Sequence, residues 1–226
     1  MESDLFHRFA HLGTAGKVRQ VHERLAAETV AAKDTAALLE IHHHAVLARD
    51  VERAKGTALF YGTELRDLAT QLRLEGQREG NRAKFSKAAD LFEYVVKNFD
   101  GTDACAWEYL GYNLARASGM AQRQRISFAH EKAHQLWSEN PLYHGRLLEF
   151  RGQMGDDIVA AFASWLDRYV NKFGNEQDAV SFFAEAALKG LRRGKQSAQV
   201  MRILAGKRAR LERFAPRALT AIVDDE

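Results

Sequence analysis

The sharpest chemical pattern in this 226-residue chain is His130-Glu131-Lys132-Ala133-His134, which fits the spacing His-Glu-x-x-His. On a helix this spacing puts both imidazoles on one face for a Zn²⁺ ion, with Glu131 placed as general base for the metal-bound water. A zinc hydrolase needs a third protein ligand as well. The metzincin continuation fails, because Trp137 stands where glycine is required and Asn140 where the third histidine should be. His144 and Glu149 remain as third ligands, beyond Pro141. Zinc hydrolysis through His130, Glu131 and His134 is thus the remote alternative among three readings, and no metal or other cofactor is expected.

Other histidines offer less. His42, His43 and His44 are consecutive, so on a helix they point about 100° apart and cannot converge on one ion. His7 and His11 share a face, and a surface helix explains the pair. The single cysteine, Cys105, has no neighbour that would make it a nucleophile. Neither a glycine-rich phosphate loop nor a serine nucleophile elbow occurs.

Charge provides a second signal. Lys+Arg total 33 and Asp+Glu 30, yet ten basic residues and one acid, Glu212, lie between Lys189 and Arg217. From Val200 to Phe214, Ile203, Leu204 and Leu211 fall on one face while Arg202, Arg210 and Arg213 fall on another. Such a basic amphipathic helix can meet nucleic-acid phosphates, a membrane surface or an acidic partner, and Arg192, Arg193, Arg202, Lys207, Arg210 and Arg213 are the nucleic-acid-binding candidates of an alternative reading. The plainer reading is a cap over the last helices, with a solvated basic face.

The elements that must carry these residues are helical. Only two prolines occur, 46% of residues are hydrophobic, and helix formers dominate. Ala88, Leu91, Phe92, Val95, Val96 and Phe99 follow the i, i+3, i+4, i+7 template, as do Ile158, Phe162, Trp165, Leu166, Tyr169, Val170 and Phe173. Trp107, Trp137 and Trp165 fall on such stripes and are expected in the core. Asn140 should cap a helix that begins at Pro141. No stretch alternates long enough to predict a strand, so the fold class is all-α. With one cysteine and no long apolar run, a soluble, cytoplasmic protein outside the membrane is expected.

Self-similarity organises the middle of the chain. Ala88, Phe92, Val95 and Asp100 match Ala129, Ala133, Leu136 and Pro141 at a separation of 41, and Ala161, Trp165 and Phe173 continue the frame 32 further on. Trp107-x-x-Leu110-Gly111, followed by Ala129, Ala133, Leu136 and Pro141, resembles the tetratricopeptide repeat. Its unit here is longer by about six residues, placed between Ser118 and Arg123. The resemblance covers roughly residues 84 to 190 and implies antiparallel helix hairpins stacked as a short solenoid. The expected organisation is an N-terminal helical region at 1–80, tetratricopeptide-like repeats at 81–190, and a basic capping helix with an acidic tail at 191–226.

In that family the concave groove binds a peptide or a partner's helix. The resemblance therefore implies a non-enzymatic interaction scaffold, with Glu108, Tyr112, Asn113 and Arg116 as partner-binding candidates. The apolar end of a stacked repeat also admits a homo-oligomer.

Overall fold

The computed structural model describes residue 42, residues 46–56, 62–173 and 177–193, and residue 212. Among the described residues every regular element is a helix: α1 (Val51–Gly56), α2 (Gly62–Glu79), α3 (Arg82–Asn98), α4 (Ala104–Ser118), α5 (Arg123–Leu136), α6 (Pro141–Gln153), α7 (Val159–Phe173) and α8 (Gln177–Arg193). The all-α class is thereby observed, and none of these helices is long and apolar enough to cross a membrane.

Local chemistry sets the breaks. Gly80 takes a left-handed conformation at φ 65°, which lets Asn81 cap α3 through Oδ1, the acceptor for the amides of Ala83 and Lys84. The stretch from Glu75 to Arg82, read as an organisational boundary, is helical up to Glu79 and again from Arg82. Asp103 caps α4 by accepting from the Ala106 amide, and the Trp107 indole donates to the Gly101 carbonyl, fastening the same turn. Asn140 caps α6 with Pro141 in the first turn, as expected.

The chain forms two compact units, Met1–Ile126 and Ser127–Glu226, and the division falls inside α5. In the first unit α3 packs on α1, α2 and α4. Its core holds Leu65, Leu68 and Leu72 from α2, Phe85, Leu91, Phe92 and Val95 from α3, and Leu110 and Leu114 from α4. The expected α3 stripe is buried at every position except Phe99, which is half-buried.

In the second unit α8 packs on both α6 and α7. Phe162, Leu166 and Tyr169 of α7 meet Val180, Phe183 and Leu188 of α8, with the rings of Phe162 and Phe183 stacked at 5.9 Å. Against α6 the approach is backbone to backbone. A Cβ built on Gly152 would stand 2.5 Å from the carbonyl of Gly190, and one on Gly190 would stand 2.7 Å from Leu148 O. Gly145 faces Phe183 and Gly152 faces Gly190, so residue numbers climb together along both helices and their axes run the same way.

Of the three tryptophans expected in the core, Trp107 and Trp165 are half-buried, whereas Trp137 is 57% exposed. Its stripe runs out because α5 ends at Leu136, which places Trp137 in the turn leading to Asn140.

Candidate functional site

In the second unit, α5, α6 and α7 line a half-open cavity of about 310 Å³. Helix α5 contributes Glu131 and His134, three residues apart and so on neighbouring faces of one turn. Helix α6 contributes His144, Arg151 and the apolar Leu147 and Leu148, while α7 closes the wall with Ala161 and Trp165.

The two imidazoles are stacked, with ring centroids 4.5 Å apart and planes at 23°. The Trp165 ring stands nearly perpendicular to both, its centre 4.4 Å from that of His144 and 6.2 Å from that of His134. His144 is 4% exposed, and its Nδ1 lies 3.1 Å from the Tyr169 hydroxyl. Arg168 covers the Trp165 ring at 4.6 Å, and Arg168 and Lys172 both pair with Glu139. Beside the imidazoles, Arg151 lies 3.6 Å from Glu131 Oε1, the same oxygen to which the Ser127 hydroxyl donates.

Burial governs the protonation of this group. It lowers His144 from 6.5 to about 3, with His134 and Arg151 adding to the effect. Burial, and then Arg151, also lowers His134, while burial raises the Tyr169 hydroxyl above its ordinary value. At neutral pH both imidazoles are therefore uncharged and the tyrosine keeps its proton. A hydroxyl that stays protonated can donate to His144 Nδ1, which puts the ring's own proton on Nε2. His134 Nδ1 is enclosed and has no hydrogen-bond partner.

Only part of the His-Glu-x-x-His pattern belongs to this cavity. His130 is 4% exposed with its ring 6.0 Å from that of Phe150, whereas His134 lies on His144 and Trp165. The structure does bring His144, one of the third-ligand candidates, to His134. It does so face to face, and imidazole lone pairs lie in the ring plane, so stacked rings do not aim at one ion. Glu149, the other, lies 3.0 Å from Arg146. Among the described residues no group of three His, Cys, Asp or Glu is arranged to hold a metal ion.

The four partner-binding candidates on α4 are not a common open face. Glu108 is 2% exposed and Asn113 is fully buried, with its Nδ2 donating to the Tyr109 carbonyl at 2.6 Å. Tyr112 is half-buried with its edge toward Phe85, and Arg116 is exposed with its guanidinium 5.4 Å from the Tyr112 ring. An open groove built on all four would need Glu108 and Asn113 at the surface. Of the basic candidates, Arg192 and Arg193 end α8, while Arg202, Lys207, Arg210 and Arg213 lie outside the described residues.

The sequence offered His144 to His134 only as a third zinc ligand, and spacing did not add Trp165 and Tyr169 to the pair. The available signal was Trp165 and Tyr169 at i and i+4, which periodicity assigns to core. Comparison with known proteins adds no relative: no family model, no curated protein and no solved structure matches the chain.

Proposed function

We propose that the chain is a non-enzymatic helical interaction protein whose docking face is the exposed side of α5 from Phe128 onward together with Trp137 in the turn that follows, with the helix pairing that the tetratricopeptide-like pattern implies. The observation that supports it is an apolar run left at the surface. Phe128 is 51% exposed, Leu136 41% and Trp137 57%, all within ten residues, and Lys132 lies over the Phe128 ring at 5.8 Å. Large apolar side chains gathered at a surface mark binding faces, and tryptophan is the residue most often found to anchor them. The lysine beside Phe128 suits a partner segment that carries an acidic residue next to its apolar anchors.

The test is capture of host proteins by the full chain after nuclease treatment, with the Phe128→Ser/Trp137→Ser double variant alongside. Both positions are exposed, so the variant should keep its unfolding midpoint. A protein held by the wild type and lost from the double variant is the expected result. Retention unchanged by the variant, or lost only with Tyr112→Ala/Arg116→Ala, removes α5 as the docking face.

A further inference from the structure

We propose that the cavity between α5, α6 and α7 binds a small zwitterion with an apolar ring, the class of the free aromatic α-amino acids. This goes beyond the docking face on α5 and stands without it.

Size comes first. A space of about 310 Å³ lies at the lower end of small-molecule sites and holds a body of one ring, not a dinucleotide or a long chain. Its apolar wall, Leu147, Leu148, Ala161 and the Trp165 ring, suits that body.

Charge narrows the class. With both imidazoles neutral, the cavity carries one acid, Glu131, and one base, Arg151, whose charges cancel. A net anion or cation gains from one of these and is repelled by the other, while a molecule bearing both charges is matched twice. The Arg151–Glu131 separation of 3.6 Å is longer than a hydrogen bond, and both Arg151 and Ser127 address Oε1 of Glu131, leaving Oε2 for a ligand. An ammonium group brings three donors. One can go to Glu131 Oε2, which neither Ser127 nor Arg151 addresses. The ligand carboxylate then falls to the planar donor fork of Arg151.

The experiment is calorimetric titration of the full chain with L-phenylalanine, with phenethylamine, which lacks the carboxylate, and with 3-phenylpropionate, which lacks the ammonium. Saturable binding of phenylalanine, at least tenfold tighter than either truncated probe, is expected. Ala161→Phe should abolish it by filling the cavity, and Arg151→Gln should reduce phenylalanine to the level of the amine. Because Ala161→Phe can disturb packing, its unfolding midpoint is measured in parallel, and Arg151→Gln, on a half-exposed side chain, provides the second reading. Absence of saturable phenylalanine binding at tens of millimolar overturns the proposal. So does equal affinity for all three probes, or binding indifferent to both substitutions. Loss of the α5 docking face alone, by Phe128→Ser/Trp137→Ser, should leave the titration unchanged.

Discussion

His144 should make the second unit acid-sensitive well above the pH at which carboxylates protonate. In the unfolded chain its imidazole titrates near 6.5; in the fold it is held at about 3. Between those values the unfolded state binds a proton that the folded state refuses, so stability falls as pH falls below about 6.5 and the loss levels off near 3. The slope is about 1.4 kcal/mol per pH unit, which puts the loss at pH 5, one and a half pH units into the window, at about 2 kcal/mol. A loss of that size is a large fraction of the 5–15 kcal/mol that typically holds a domain together, so it is readily measured. The groups facing the ring explain why no counter-charge rescues the protonated form. His134 and Arg151 oppose it, Tyr169 offers only a hydroxyl, and Trp165 and Phe183 are uncharged. Glu131 lines the same cavity, but its Oε1 faces Ser127 and Arg151, and its charge does not figure among the influences on His144. The assay is denaturant unfolding at pH 7 and pH 5, followed by tryptophan fluorescence in a Trp107→Phe background, so that only Trp137 and Trp165 of the second unit report. His144→Phe keeps the ring and removes the titration. It should be less stable at pH 7, since Tyr169 loses its partner, but should lose about 2 kcal/mol less than the parent between pH 7 and pH 5. Equal losses in the two proteins would refute the burial argument.

Two further outcomes follow from packing and capping. Gly152→Ala places a methyl group against the Gly190 backbone and should cost about 3 kcal/mol, read as a lowered denaturation midpoint of the second unit. A cost under about 0.5 kcal/mol means the helices separate without penalty. Asp103→Ala removes the α4 cap together with the Arg66 ion pair and should cost about 1 kcal/mol, while Asp103→Asn, which keeps the cap, should stay near wild type, because an exposed ion pair contributes little. Equal losses for the two substitutions would reverse that ranking.

What was legible in the sequence was local. The α3 stripe and the Asn140-Pro141 start depend on residues within a turn or two of one another, and both are found where spacing puts them. Glu108 and Asn113 were assigned to an open groove because the tetratricopeptide-like resemblance turns that side of the first helix outward, whereas α4 turns both inward and spends the Asn113 amide on the Tyr109 carbonyl. Trp137 was misplaced because apolar spacing continues one residue past the last turn of α5. The cavity was illegible for a different reason. His134 and His144 are ten residues apart across a helix break, and their stacking depends on Trp165 and Tyr169 arriving from α7. No periodicity within one helix encodes such a meeting.

The contact between α6 and α8 also limits how this chain can change length. Gly152 and Gly190 meet at a distance that admits no side chain on either, and they are 38 residues apart in sequence. Removing one residue from α8 ahead of Gly190 would turn that glycine about 100° around its axis and bring Leu191 against the α6 backbone. Insertions and deletions are therefore barred from the body of either helix up to the contact, whereas the connections can lengthen without disturbing it. A descendant of this chain could lose most of its resemblance to it and still be identifiable by where its length had never varied.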